Sequence, residues 1–163
     1  MLFRKLRRED FGGIESMIMS VYAENGLSLW FTGKPTTADL AEMLDAKLTA
    51  CCLGAAADIV AVENGAVVGE CEIVKTAPET GNVGIIVMKG FRRRKAGSAL
   101  LEKTMRAARS IGITEVYADV AEGNMPAAGF FLSAGFSVVE SMGGTSKIRG
   151  KSRNILVLRA FNA

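Results

Sequence analysis

Two sets of residues in this chain stand where they could do chemistry. The first is the run Arg92-Arg93-Arg94-Lys95-Ala96-Gly97-Ser98, which follows a hydrophobic stretch, Val83 to Met88, and leads into a helical pattern. Four consecutive cations therefore sit where a strand must turn into a helix. A helix start offers N–H groups without intrahelical partners and the positive end of the dipole, so it suits a phosphate-bearing ligand. Gly97, Ser98 and Ala99 are small enough to let that ligand reach the backbone. A cation run taken alone is ordinarily a solvated turn; its place between strand and helix, and a second motif downstream, argue for a ligand. The second set is three carboxylates on strand patterns, Asp119, Glu72 and Glu70. They are the candidates for moving a proton, each weighed against the ordinary alternative of a carboxylate on a solvated face.

The composition removes other chemistries. The chain has no histidine, which excludes a His-based triad or a His metal site, and its three cysteines lack the spacing of a zinc site. No metal is expected. Cys51 and Cys52 are adjacent, which does not read as a disulfide framework and implies a reducing, cytoplasmic setting. Cys71, on a strand, reads as a small buried hydrophobe rather than a reactive thiol.

These residues need elements to hold them. Leu2 to Arg7 reads as a short strand. Asp10 is expected to cap a helix carrying Phe11, Ile14, Met17, Ile18 and Val21, ended by Asn25-Gly26. Leu27 to Pro35 reads as a loop with the aromatic pair Trp30-Phe31. Thr36 or Thr37 caps a second helix with Leu40, Met43, Leu44 and Leu48 on one face. Residues 50–57 receive no assignment. Ile59 to Glu63 and Ala66 to Lys75 flank Asn64-Gly65, a strong hairpin signal because both turn positions need positive φ. Val83 to Met88 reads as a buried strand, Gly97 to Ser110 as a helix stopped by Gly112, and Val116 to Val120 as a strand. Asn124 opens a helix with Pro126 in its first turn, and Gly135 ends it. Ser137 to Met142 and Asn154 to Phe161 form a strand pair across a Gly/Lys/Ser-rich loop.

The order is β-α-α-β-β-β-α-β-α-β-β, an α/β mixed sheet with helices on it. At 163 residues with short connections and no repeats, the chain reads as one domain, 1–163. A net charge of +3 is too mild to call for nucleic acid. The amino-terminal cations precede no apolar stretch, so no signal peptide is expected, and no segment approaches the roughly 20 apolar residues of a membrane helix.

Ile85-Ile86-Val87 followed by Phe91 to Leu101 resembles the acetyl-CoA-binding motif of the GNAT N-acetyltransferases, whose pattern is Arg/Gln-x-x-Gly-x-Gly/Ala. Asn124 to Phe136, Asn-Met-Pro-Ala-Ala-Gly-Phe-Phe-Leu-Ser-Ala-Gly-Phe, resembles the family's second motif, Asn-x-x-Ala-x-x-x-Tyr-x-x-x-Gly-Phe. One helix and one strand separate the two, as in the family. The resemblance implies a mostly antiparallel sheet of about seven strands, splayed between the fourth and fifth, with about four helices. It implies that Ile85, Ile86 and Val87 pair with the pantetheine arm of acetyl-CoA. Backbone N–H groups of Arg93, Arg94, Lys95, Ala96, Gly97 and Ser98 would cradle the pyrophosphate, and the Arg92 and Arg94 side chains would meet phosphate. Lys95 stands where the family usually has glycine; if it needs positive φ it is strained by about 1 kcal/mol or more.

For the reaction, the resemblance implies transfer of acetyl from acetyl-CoA to a primary amine of a small molecule or a protein amino terminus, by direct attack in a ternary complex. Some family members that modify protein amino termini carry an acid at the place of Asp119; Glu72 is the competing base. The family's tyrosine acid is replaced by Phe131, which cannot donate a proton, so water, Ser133 or Tyr117 would have to substitute. Asn124 is read as a cap that also bonds pantetheine, and Trp30 and Phe31 as acceptor-site residues or core cover. The other function class is a module that holds CoA or acetyl-CoA without turnover. A nicotinamide-binding fold is disfavoured, since no Gly-x-Gly-x-x-Gly follows a strand. A homodimer is compatible with the chain.

Overall fold

A computed structural model describes residues 1–24, 31–148 and 151–162. The chain runs β1 (Leu2–Lys5), α1 (Phe11–Ala23), α2 (Thr37–Cys52), β2 (Ala56–Glu63), β3 (Ala66–Ala77), β4 (Thr80–Val87), α3 (Ala96–Ser110), β5 (Glu115–Ala121), α4 (Met125–Ser133), β6 (Ser137–Ile148) and β7 (Lys151–Phe161). The strands form one sheet in the order β1-β2-β3-β4-β5-β7-β6, antiparallel except for the β4–β5 pair. The expected order, class and seven-stranded sheet with four helices are what is seen. The helix end expected at Asn25-Gly26, residues 27–30 of the following loop, and Trp30 lie outside the described residues.

Local chemistry accounts for most boundaries. Thr36 caps α2 reciprocally with Asp39: its hydroxyl accepts from the Asp39 N–H at 3.2 Å, and the Asp39 carboxylate accepts from the Thr36 N–H at 2.7 Å. Asn64 (φ 50°) and Gly65 (φ 80°) form the two-residue β2–β3 turn, both in the region that glycine tolerates best. The unassigned residues 50–57 divide between the end of α2 and the start of β2.

Three expectations need correction. Asp10 does not cap α1 with its side chain. Its buried carboxylate instead receives both terminal nitrogens of Arg4, at 2.6 and 2.7 Å, and the Arg7 N–H at 2.9 Å. Charged donors outcompete the helix start for it. The Gly/Lys/Ser-rich segment after Met142 is largely strand, with β6 and β7 pairing again from Ser146↔Arg153 to Ile148↔Lys151; a ladder of main-chain bonds does not need apolar side chains. Finally, β4 is buried only at Gly81 and Val83. Ile85 to Met88 are half-exposed, because the sheet opens beside them.

That opening positions the site. β4 and β5 pair over three residues only, Thr80↔Glu115 to Asn82↔Tyr117. Beyond, β4 stays with β3 while β5 follows β7, up to Ala121↔Ile155. Each face has its own core. α3 and α4 cover one face, where Leu100, Leu101, Ala108 and Phe131 pack on Ile73, Val83 and Val120. α1 and α2 cover the other, where Ile14, Met17, Leu40 and Leu44 pack on Val60 and Val67. The gap between the strands joins the two faces.

Candidate active site

The gap is a cleft of about 970 Å³ lined from α1, α2, β3, β4, the β4–α3 loop, β5 and α4. Its long wall is the free edge of β4. The Met88 N–H donates to Val68 O at 2.9 Å. Residues of an antiparallel strand alternate in the side to which they turn their amide groups, so Ile86 faces β3 while Val83, Ile85 and Val87 face β5. Where β5 has moved away, the amide groups of Ile85 and the N–H of Val87 point into the cleft. The Ile86 side chain lines the cleft, but its amide does not belong to this edge.

One end of the cleft is built from main chain. Arg93 (φ 58°) and Lys95 (φ 62°) both adopt left-handed backbone, a geometry that turns successive N–H groups into one anion-binding concavity. Lys95 is the residue before α3, and the first α3 ladder bond runs from the Ala99 N–H to Lys95 O at 3.0 Å. The N–H groups of Ala96, Gly97 and Ser98 are therefore left by the helix for another acceptor. Gly97 is needed as well: a Cβ there would stand 3.3 Å from the Phe130 ring and would narrow the cradle.

The side chains of the cation run divide. Arg93 and Lys95 line the cleft with Gly97 and Ser98. Arg92 also borders it, but its Nε donates to Val87 O at 2.7 Å and its guanidinium grips the Glu24 carboxylate through two bonds, at 2.6 and 3.0 Å. It ties the end of β4 to the end of α1 rather than presenting a free cation. Arg94 turns away, 3.7 Å from Glu63 and stacked on the Phe91 ring. Ala96 is buried in the core.

The other end is built from side chains. Glu72 and Asp119 stand on either side of Gly84, and both line the cleft and an adjoining pocket of about 260 Å³. Glu72 lies over Gly84, its register partner on β4. Asp119 accepts from Asn82 Nδ2 at 2.9 Å. Behind Glu72 is a cluster that includes two residues outside the expected site. Lys47 Nζ lies 2.8 Å from Glu72, 3.0 Å from Glu70 and 3.5 Å from Asp58. Burial pulls the Lys47 ammonium down, but the three carboxylates outweigh it and hold it well above the ordinary lysine range. Burial, then the Glu70 charge, pushes the Asp58 carboxyl well above the ordinary carboxylate range against the pull of Lys47. Asp58 is thus the carboxyl of the cluster that most resists ionising, and Lys47 is the counter-charge set among the three. Burial, with Asp58 and Glu72 nearby, also pushes the Cys51 thiol up to about 11, so it is no ready nucleophile.

The signals for these residues were present. Lys47 falls on the same helical stripe as Leu40, Met43 and Leu44, and Asp58 interrupts a run of small and apolar residues, Ala55 to Val62. A charge on an apolar stripe implies a partner; the sequence does not say which.

Of the remaining expected residues, Phe31 and Asn124 line the cleft. Asn124 caps α4, its Oδ1 accepting from the Ala127 N–H at 3.3 Å. Phe131 is buried at the cleft wall, edge-on to Phe130 and Phe136. Neither substitute acid reaches the cleft: the Tyr117 hydroxyl donates to Glu115 and the Ser133 hydroxyl to Gly129 O. Cys71 is fully buried, and burial pushes its thiol well up. Among the described residues no helix is long and apolar enough to cross a membrane.

The profile of the Acetyltransferase (GNAT) family matches residues 24–136, from the end of α1 to the end of the second motif. No curated protein matches the chain significantly. Among solved structures, the ribosomal-protein-alanine N-acetyltransferase of Brucella melitensis superposes with a TM-score of 0.85 at 18% identity, over 99% of each chain. YncA of Salmonella typhimurium, solved with its cofactor acetyl-CoA, gives 0.84 at 18% identity, over 99% of this chain and 94% of that one. A phosphinothricin acetyltransferase of Sinorhizobium meliloti in complex with acetyl-CoA gives 0.82 at 16% identity, over 98% and 87%. At such identities the likeness is one of fold.

Proposed function

Because the chain belongs to the acetyltransferase (GNAT) family, we propose that it transfers acetyl from acetyl-CoA to a primary amine of a small molecule or a protein amino terminus. The observation that carries this reading is the parting of β4 from β5, which leaves the Ile85 and Val87 amide edge leading from a phosphate cradle to a pair of carboxylates. The residues present fit the cofactor. The left-handed Arg93 and Lys95 backbone, the α3 N–H groups and the cradle at Gly97 suit a diphosphate, and the β4 edge suits the amides of a pantetheine arm. Bound there, acetyl-CoA supplies an acetyl group activated as a thioester.

The chain's own residues then have three tasks. The Val87 N–H, aimed into the cleft, is the donor available to a carbonyl oxygen that gains charge. Asp119 takes the proton of the amine, because its partner is the neutral Asn82 amide and it can accept without breaking an ion pair. Glu72, whose charge is shared with Lys47, draws in the cationic amine and orients it over Gly84. Cys51 is held as thiol and does not line the cleft, which supports direct attack in a ternary complex over a covalent acyl-enzyme.

One observation favours the second reading, a module that binds CoA without turnover: Phe131 occupies the tyrosine position, and no phenol lines the cleft among the described residues. A thiol's ordinary pKa of roughly 8.5 makes its thiolate a tolerable leaving group without an acid, which keeps turnover the leading reading. Calorimetry with CoA and acetyl-CoA tests the cradle; absence of binding by folded protein would sink both readings. A panel of primary amines and free-amino-terminal peptides, read by thiol release, then separates them.

A further inference from the structure

We propose that Lys47 is a positioning residue for the acceptor end of the cleft: wedged among Asp58, Glu70 and Glu72, it holds the Glu72 carboxylate charged and turned over Gly84. The inference rests on the role given to Glu72 above. Its geometry does not resemble a surface ion pair. Lys47 Nζ comes from α2 and meets carboxylates from two strands, at 2.8 Å from Glu72, 3.0 Å from Glu70 and 3.5 Å from Asp58. The Lys47 side chain is 11% exposed, those of Glu70 and Asp58 are 5% and 0% exposed, and that of Glu72, at 27%, is the member open to the cleft.

Three carboxylates this close cannot all ionise in a low-dielectric setting without a counter-charge. Both Asp58 oxygens and Glu70 Oε1 are buried without a well-formed hydrogen bond, so the Lys47 ammonium is the group that offsets this pair. Lys47 thus bridges the buried Asp58 and Glu70 to Glu72, the one carboxylate of the three that opens to the cleft. The groups facing Glu72 are Lys47 and Cys51 from α2, Asp58 from β2, Glu70 on its own strand, and Asp119 across the adjoining pocket on β5. Among the described residues Lys47 is the only cation of this group. Without it, the like charges would drive a proton onto Glu72, and the acceptor site would lose its attraction for an ammonium group.

The test is a carboxyl-carbon NMR titration of Glu72, its signal assigned by loss in Glu72→Gln, in the unaltered protein, in Lys47→Gln and in Lys47→Gln/Asp58→Asn/Glu70→Gln. We expect the Glu72 midpoint to rise by about 1–3 units in Lys47→Gln, the range for loss of a close opposite charge, and to fall back in the triple variant, which also removes the competing carboxylates. A folded Lys47→Gln protein with an unmoved midpoint would overturn the proposal, as would a rise that persists in the triple variant; a merely structural lysine would move neither. Should Lys47→Gln not fold, Lys47→Arg decides: it keeps the counter-charge and should leave the Glu72 midpoint in place, and a rise of the same size in that variant would overturn the proposal. The titration needs no acceptor. An unimpaired Glu72→Gln enzyme would count against the acceptor role of Glu72, whereas a normal titration in Lys47→Gln would count against Lys47 alone.

Discussion

The two ends of the cleft are made of different material. The phosphate end is main chain: the left-handed Arg93 and Lys95, the first turn of α3 and the bare edge of β4, all within one continuous segment. The acceptor end is side chain: Lys47, Asp58, Glu70, Glu72 and Asp119, drawn from α2, β2, β3 and β5. Main-chain groups depend on backbone conformation more than on side-chain identity, and Lys95 adopts the left-handed backbone that the motif's glycine would take. Side-chain charges do not, because each is balanced by its neighbours. On the proposed function, a common cofactor would be met by the part that local sequence specifies, and a particular acceptor by the part that only the folded chain assembles.

The sharpest way to break this contrast is Asp119→Asn. If side-chain chemistry resides at the acceptor end, turnover should fall by about 10²- to 10⁴-fold while acetyl-CoA affinity measured by calorimetry stays unchanged; equal losses in both would erase the division. Next is Lys95→Glu against Arg94→Glu. Lys95 borders the cradle, so reversing its charge should weaken acetyl-CoA by about 10- to 10²-fold, the range for a lost charge-assisted bond. Arg94 faces Glu63 and Phe91, so its reversal should leave affinity nearly intact. Installing a phenol by Phe131→Tyr should raise kcat by up to about 10-fold, below the usual range for a general acid because a thiolate leaves readily without one, with calorimetry again unmoved.

The smallest effect concerns stability. Asp58 has a raised native pKa, so its contribution is present below the ordinary carboxylate range and lost as pH climbs through the raised value. Asp58→Asn has no proton to lose. Its melting temperature should gain on that of the unaltered protein as pH rises above the ordinary carboxylate range toward the raised Asp58 value. A constant difference across that range would place the retained proton elsewhere.

The same contrast decides how much was legible beforehand. Element order, the Asn64-Gly65 turn and the α3 start follow from rules that act over a few residues, and the structure repeats them. The position of Lys95 in the left-handed region was foreseeable from its place in the motif. Nothing within the cation run announces that Arg92 is held by Glu24 or that Arg94 lies against Glu63, which stand at the end of α1 and at the end of β2. Asp10 misled for the same reason: its capping signal was sound, but Arg4 and Arg7 competed for it. Asp119 and Glu72 could be named singly; that they flank Gly84, with Lys47 behind one and Asn82 beside the other, depends on strand register.

The three-residue seam between β4 and β5 has a kinetic corollary. The gap it leaves passes through the sheet, so one substrate can arrive past α3 and α4 and the other past α1 and α2, and neither need vacate for its counterpart. Initial-velocity lines should therefore intersect rather than run parallel. Free coenzyme A should compete with the thioester substrate but not with the amine.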